Sequence, residues 1–243
     1  MNQFLYGMTQ ASADVFDLPA PVYEAGAYQI QGQENLCNLR GCFPNKEYKG
    51  MDMRPGPGVD LVGDVQQLQL ADRSVGTFLA MSLFEHVPHF WKGFSEMERV
   101  VRNDGAALIC CPFYFYIHNY PGDFWRFTPQ ALELLLAGFD RKIIGWHGQS
   151  KRPTNVWALA FGNQYPQISR DQLDRYASRL LNCAREPENL GRTLRYRLAG
   201  VLCGRGPFAP FLDRNYWEVE FQDASQPRDS WWHSTSKTAT KRP

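Results

Sequence analysis

The strongest constraint on the fold lies between residues 59 and 112, where short apolar runs alternate with polar turns. Val59–Val62 ends in Gly63-Asp64, and Thr77–Leu83 ends in Glu85-His86. Each run has the length of a β-strand, and each finishes in charged residues. This pattern predicts buried strands whose carboxyl ends carry the polar chemistry.

A helix is predicted after the second of these runs, and a third apolar run follows it. From Phe90 the apolar residues recur with helical spacing and leave the charged residues for solvent. Asp104-Gly105 is expected to end the helix, since glycine is favoured just after a C-cap. Ala106–Cys111 then reads as a strand buried on both faces. Strands alternating with helices indicate an α/β fold with a doubly wound, mostly parallel sheet.

Two earlier segments extend the same pattern. Pro21–Ala25 is a short strand candidate that leads into Gly26, and Glu47–Met53 is a second that carries Asp52 near its end. Ligands of doubly wound sheets bind outside the carboxyl ends of the strands. The acidic side chains near these strand ends, Glu24, Asp52, Asp64 and Glu85, are therefore expected to meet at one edge of the sheet.

This ordered set resembles the class I S-adenosylmethionine-dependent methyltransferases, over roughly residues 20 to 162. The residues that carry the resemblance follow successive strands, and they are Glu24-Ala25-Gly26, Asp52, Gly63-Asp64, Glu85-His86-Val87 and Arg99-Val100 through Gly105. It implies a Rossmann-like sheet of seven strands that ends in an antiparallel pair, here Phe139–His147 and Asn155–Phe161. It also implies S-adenosylmethionine as the cofactor.

The resemblance assigns a role to each strand end. Glu24 and Gly26 would frame the methionine end of the cofactor, Asp52 would hold the ribose hydroxyls, and Asp64 would hold the adenine amino group. Met53 and Val65, the residues that follow Asp52 and Asp64, are also expected to bind the cofactor. Ser82 would line the cofactor site. A solvated loop aspartate remains the alternative for Asp52.

The glycine turn departs from the family pattern. Two further family glycines, two and four residues after Gly26, are replaced by Tyr28 and Ile30, and Gly32 follows. Because a side chain in this turn would collide with the cofactor, the departure keeps a second class of function open. That alternative is a non-catalytic methyltransferase-like scaffold that acts through partners.

The acceptor side is assigned to a stretch that contains eight aromatic residues between Phe113 and Phe127. An aromatic loop beyond a strand end makes a pocket wall or lid. His86 or His118 would serve as general base if the acceptor needs one, and a structural histidine is the alternative for His86. The predicted substrate-binding residues are Glu85, Tyr116, Tyr120, Trp125 and Arg126, with a structural pair between Arg126 and Asp123 as the favoured alternative for Arg126.

One short link constrains the third strand. Only Arg54–Gly58, with two prolines, connects the second strand to Val59–Val62, whereas parallel strands usually need a crossover of about a dozen residues. We therefore expect the third strand to be a short edge piece that is reached by an extended link.

Four regions are predicted from the distribution of apolar and polar residues. Residues 1–20 form an N-terminal arm, and residues 21–163 form the Rossmann-like domain. A capping box at Ser169–Gln172 opens a helical, arginine-rich appendage over 164–221. Residues 222–243 form a polar tail that is expected to be disordered.

Charge is unevenly spread, with 9 Lys+Arg against 16 Asp+Glu in residues 1–140 and 17 against 9 in the remainder. Electrostatic complementarity within one fold is the favoured explanation. An arginine-rich grip on phosphates keeps a third function, methylation of nucleic acid, open.

Composition sets further expectations. The six cysteines include no C-x-x-C pair, so they are interpreted as free thiols and no metal site is predicted, at Cys37 and Cys42 or elsewhere. No apolar run approaches a membrane span, and MNQFLYGMTQ lacks the regions of a signal peptide. A soluble, cytoplasmic protein is the resulting prediction. The family resemblance, together with the aromatic loop, implies methyl transfer to an oxygen or nitrogen of a small-molecule or glycan acceptor.

Overall fold

The computed structural model describes residues 2–32, 34–118, 122–149, 151–183, 198 and 216–237. Within these ranges nine strands form a single sheet, and their bounds are β1 Val22–Ala25, β2 Tyr48–Asp52, β3 Leu61–Val62, β4 Val75–Met81, β5 Val101–Pro112, β6 Arg141–Gln149, β7 Arg152–Phe161, β8 Trp217–Asp223 and β9 Trp232–Thr235. The strand order is β3-β2-β1-β4-β5-β7-β6-β8-β9. Strands β1 to β5 pair in parallel, and the pairs formed by β6 to β9 are antiparallel.

Helices cover both faces of this sheet. They are α1 Gln3–Phe16, α2 Glu34–Cys37, α3 Phe90–Val100, α4 Pro129–Leu135 and α5 Arg170–Cys183. Side chains of α1 and α5 share one apolar core with one face of the sheet, while α3 and α4 share a second core with the other face. Every residue of β4 is buried, as expected for a central parallel strand. The predicted α/β fold is confirmed.

The sheet has nine strands where seven were predicted. The additional strands, β8 and β9, come from residues 217–223 and 232–235, which were predicted to belong to the appendage and the disordered tail. The tail prediction is wrong for residues 222–237, because Trp232 of β9 is buried against the core. Its indole Nε1 also donates to Asp174 Oδ1 at 3.3 Å.

The predicted N-terminal arm is mostly a core helix. Phe4 and Met8 of α1 are fully buried, and the Phe4 ring stacks on His147 with ring centroids 4.1 Å apart. Ser12 Oγ lies within hydrogen-bonding distance, 3.3 Å, of Tyr176 Oη on α5. This packing makes α1 part of the layer that covers the sheet.

Helix α5 begins as predicted from its capping box. Ser169 Oγ accepts a hydrogen bond from Gln172 N at 3.2 Å, and Gln172 Oε1 accepts one from Ser169 N at 2.9 Å. The five arginines assigned to the appendage between residues 190 and 214 lie outside the described residues. Beyond α5 the helical appendage therefore stays a prediction. From Trp217 onward, strand β8 is found in place of the predicted helical structure.

The short link between β2 and β3 is possible because it folds back on β2. Gly50 O accepts a hydrogen bond from Asp60 N at 2.8 Å, and Gly50 N donates to Asp60 Oδ2 at 2.7 Å. A Cβ at Gly50 would lie 2.0 Å from the carbonyl oxygen of Gly58, so glycine is required for this close approach. The expected edge strand is confirmed as the two residues of β3, parallel to β2.

The end of α3 differs from the prediction. The helix ends at Val100, and Val101 is already extended and begins β5. Gly105 lies inside β5, where a Cβ would come within 2.6 Å of Gly76 O. The glycine is therefore needed for close packing of neighbouring strands and does not stop the helix.

None of the helices in the described ranges is both long and apolar enough to cross a bilayer.

Candidate active site

A cavity of about 650 Å³ opens at the carboxyl ends of β1, β2 and β4. Most of the residues that the sequence singled out line it, namely Glu24, Gly26, Asp52, Met53, Asp64, Val65, Ser82, Glu85, His86, Tyr116 and His118. The cavity lies where doubly wound sheets bind their ligands. The parallel register explains the convergence, since β1 is hydrogen-bonded to β2 on one side and to β4 on the other.

The turn after β1 is tight at Gly26. Its φ of +81° is a conformation that other residues adopt rarely, and a Cβ there would lie 3.2 Å from Leu83 Cδ1. Tyr28 does not fill this turn. Its ring lies under the Arg54 guanidinium, 4.5 Å from Cζ to the ring centroid, and stands at the cavity wall.

Glu24 is a buried carboxylate in the cavity wall. Tyr48 Oη donates to Glu24 Oε2 at 2.6 Å. Burial raises the pKa of Glu24 to about 7, although the Tyr48 hydrogen bond and the Arg40 charge act in the opposite direction. A cationic ligand group beside this carboxyl would favour its ionised form.

Asp52 and Asp64 line the same cavity and are both held by local hydrogen bonds. Asp52 Oδ1 accepts from Arg54 N at 3.1 Å, and the Arg54 Nε atom is 3.6 Å from the same oxygen. Asp64 Oδ1 accepts from Gln66 N at 2.8 Å, and the Gln66 side-chain amide reaches both carboxylate oxygens. Local turns thus fix two carboxylates in position before any ligand binds.

Ser82 follows β4 directly and has a left-handed backbone conformation, with φ of +57°. Its N–H donates to Cys110 O at 2.8 Å, which anchors it to β5. Non-glycine residues in this region cost free energy and occur preferentially at functional sites. The conformation places Ser82 and Leu83 at the cavity beside Gly26.

The far side of the cavity holds Glu85, His86 and His118. The Glu85 side chain is fully buried, and neither of its carboxylate oxygens has a hydrogen-bond partner among the described residues. Burial raises the pKa of Glu85 to about 8. The His86 and His118 rings meet edge to face with centroids 4.9 Å apart, and burial lowers the pKa of His86.

Asp123 anchors the aromatic loop. Both of its oxygens are bound by Arg126, and His118 N donates to Asp123 Oδ2 at 2.9 Å. The Arg126 guanidinium holds the pKa of Asp123 well below its usual range. The Asp123–Arg126 pair is thus formed as the favoured alternative predicted.

Two predicted substrate residues, Trp125 and Arg126, are not in the cavity lining. Arg126 is engaged with Asp123, and Trp125 Nε1 donates to Val87 O at 3.1 Å while its ring packs on Phe90. Both residues fix the loop and do not contact the cavity. Tyr120 lies outside the described residues.

Comparison with known proteins finds methyltransferases. Residues 36–109 match the family model described as a methyltransferase domain. A structure of an S-adenosylmethionine-dependent methyltransferase from Archaeoglobus fulgidus aligns with 65% of this chain and 92% of its own, at 14% identity and a TM-score of 0.50. Over these residues the chain is similar to methyltransferase domains, and the Archaeoglobus structure has the same fold. The predicted resemblance to the class I S-adenosylmethionine-dependent methyltransferases is confirmed to this extent.

Two other structures are also similar to this chain. One, from Thermotoga maritima, is described as a possible histamine N-methyltransferase and aligns with 65% of this chain and 92% of its own, at 16% identity and a TM-score of 0.45. The other is 1,6-didemethyltoxoflavin-N1-methyltransferase from Burkholderia thailandensis, at 65% and 79% coverage, 17% identity and a TM-score of 0.46. No curated protein matches the chain.

Several residues that line the cavity or support its wall were missed by sequence reasoning. Tyr48 supports Glu24, Arg54 supports Asp52, and the cavity is also lined by Asn2, Thr154 and Asn155. Asn2 and Asn155 are contributed by the N-cap of α1 and by β7, and their side chains are hydrogen-bonded at 3.4 Å. No local motif identifies them, because only strand register and helix packing bring them to the cavity.

Proposed function

We propose that the protein binds S-adenosylmethionine and transfers its methyl group to an oxygen or nitrogen of a small-molecule or sugar-type acceptor. The observation that carries the proposal is the meeting of Glu24, Asp52 and Asp64 in one cavity, beside the glycine turn at Gly26. Glu24 and Asp52 lie at the carboxyl ends of β1 and β2, and Asp64 lies just beyond β3; these three strands are neighbours in the sheet.

The residues fit the proposed cofactor by charge and by space. Glu24 suits the ammonium of the methionine end, Asp52 suits a pair of ribose hydroxyls, and Asp64 suits an amino group. The absence of a side chain at Gly26 leaves space next to Leu83 that a Cβ would fill, so a ligand can come close to the backbone there. When bound, the cofactor supplies an activated methyl group, so the chain mainly needs to orient the acceptor and exclude water.

An aromatic wall supports the acceptor assignment. Phe115 and Tyr116 both line the cavity and stack with ring centroids 4.3 Å apart. Their exposed fractions, 42% and 72%, leave ring surface available to a ligand. Flat rings and the apolar face of a sugar can both pack against such a surface.

The two histidines are oriented to accept a proton. His86 Nδ1 contacts Gly122 O, and His118 Nδ1 lies 3.0 Å from Asp123 Oδ2. Because each Nδ1 faces an acceptor, the proton of the neutral ring is favoured on Nδ1 and the lone pair on Nε2. Either Nε2 is suited to act as the general base for an acceptor hydroxyl.

The test is calorimetric titration with S-adenosylhomocysteine. Asp52→Asn removes the charge expected to hold the ribose, whereas the control Asp104→Asn alters an exposed carboxylate paired with Arg102 at the start of β5. We expect binding to the wild type and to Asp104→Asn, and binding weakened at least about tenfold, or about 1.4 kcal/mol, in Asp52→Asn.

The same titration separates the enzyme from the scaffold alternative. Absence of binding at millimolar ligand would contradict the proposal and support a protein that acts through partners. If binding is found, transfer of a labelled methyl group to a panel of hydroxyl and amine acceptors would identify the acceptor class. A cytoplasmic location remains part of the proposal.

A further inference from the structure

We propose that Glu85, His86 and His118 form a binding site for a divalent transition-metal ion at the acceptor side of the cavity. One potential ligand atom of each residue lies within 4.8 Å of the others, and all three residues line the cavity. No metal site was predicted from the sequence, because the cysteine spacing indicates none. No spacing motif links a Glu-His pair to a histidine 32 positions away.

The first line of support is the orientation of the two imidazoles. Histidines that bind metals usually donate their second ring N–H to a carbonyl or carboxylate, which fixes the ring and leaves the other nitrogen as ligand. His86 Nδ1 faces the Gly122 carbonyl, and His118 Nδ1 faces the Asp123 carboxylate. Both rings therefore have the outer contact that a metal-binding histidine needs.

The second line of support is independent of the histidines. Glu85 is completely buried, and neither of its oxygens has a hydrogen-bond partner in the described parts of the chain. Buried carboxylates without partners are costly and call for an explanation. Glu85 Oε1 lies 3.8 Å from His86 Nε2, so a cation between them would satisfy the orphaned acceptor.

The donor set indicates which ions would bind. Two imidazoles and one carboxylate suit Mn²⁺, Fe²⁺ or Zn²⁺, whereas Mg²⁺ and Ca²⁺ prefer sites built from oxygen ligands. Three protein ligands leave coordination positions for another molecule. Because the three residues line the cavity, those positions would face the space assigned to the acceptor.

The role of the ion rests on the proposed function. With the ion bound, the Nε2 atoms of His86 and His118 would be metal ligands and would not act as general base. The cation would instead coordinate an acceptor hydroxyl and promote loss of its proton to water. The acceptor oxygen would then form the new C–O bond with its lone pair as the C–S bond of the cofactor breaks. The metal would also select acceptors that present an oxygen beside the aromatic wall.

The experiment is calorimetric titration of chelator-treated full-length protein with Mn²⁺ and Zn²⁺ in the absence of cofactor. The variants are Glu85→Gln and His118→Ala. The control is His233→Ala, which alters a surface histidine 2.6 Å from Glu218. We expect the wild type to bind one ion per chain. The affinity should fall more than about 100-fold in both variants, which exceeds the loss typical of an outer-shell partner. It should be unchanged in the control.

Absence of binding, or affinity within about threefold of wild type in either folded variant, would overturn the site. If a variant does not fold, pulsed electron paramagnetic resonance of the wild type with Mn²⁺ decides, because two bound imidazoles give nitrogen couplings and their absence refutes the assignment. S-adenosylhomocysteine binding, measured on the same samples, shows separately whether the proposed function fails.

Discussion

At the scale of single residues, the site is built from charges whose environment differs from that of a surface side chain. Glu24 is the clearest case, since burial raises its pKa from 4.5 to about 7. A carboxyl with a higher pKa in the folded state binds more protons when folded. The contribution of Glu24 to stability therefore falls as the pH rises from about 4.5 to about 7.

Replacing Glu24 by glutamine should remove this dependence while keeping an acceptor for Tyr48. The difference in unfolding free energy between Glu24→Gln and the wild type should change by roughly 3 kcal/mol in favour of the variant between pH 4 and pH 8. Urea denaturation across this range measures it. If the difference in unfolding free energy between the two proteins stays constant with pH, the assignment is contradicted. Other titrating groups, such as Glu85, are present in both proteins and cancel in the difference.

The acidic residues could be predicted from sequence because each one closes a run of apolar residues. Asp52 and Asp64 are examples, and both line the cavity. Tyr48 could not be predicted in its role, since its contact with Glu24 depends on the register that aligns Val22 with Tyr48. Supporting residues of this kind follow from tertiary packing and have no local signature.

At the scale of elements, the largest difference from expectation is the pair β8 and β9. Trp217, Val219 and Phe221 alternate with polar residues, which is the pattern of a strand buried on one face. The residues around Trp231-Trp232 are mostly polar, and β9 is short. This strand therefore depends on pairing with β8 and on packing against α5. Such a strand has little intrinsic preference that sequence could reveal.

This dependence gives an element-scale prediction. Trp232→Ala should lower the unfolding free energy by about 3 to 5 kcal/mol, because it empties a buried site in the core. Trp91→Ala is the matched control, since the Trp91 side chain is 48% exposed, and it should change stability by less than about 0.5 kcal/mol. Equal effects of the two substitutions, measured by urea denaturation, would show that β9 is not part of the core.

At the scale of the whole molecule, the cavity joins distant parts of the chain. Asn2 at the start of α1, the ends of β1, β2 and β4, and Asn155 of β7 all contribute to its wall. A ligand in this cavity binds only the folded chain. Its binding free energy therefore adds to the stability of the entire fold.

S-adenosylhomocysteine at one hundred times its dissociation constant should stabilise the protein by about 2.7 kcal/mol. For a chain of this size that corresponds to a rise in melting temperature of roughly 5 to 10 °C. Differential scanning calorimetry measures the shift at increasing ligand concentration. In Asp52→Asn the shift at the same concentration should be smaller, and an equal shift in both proteins would place the ligand elsewhere.

Among the described residues, the two outer strands of the sheet are its shortest or nearly so, with two residues in β3 and four in β9. An edge strand exposes unpaired backbone groups that can recruit a strand of another chain and so start aggregation. Ending a nine-stranded sheet in such brief edges leaves very little backbone to act as that template. The protein can therefore enlarge its sheet beyond the expected seven strands without acquiring long edges prone to intermolecular pairing.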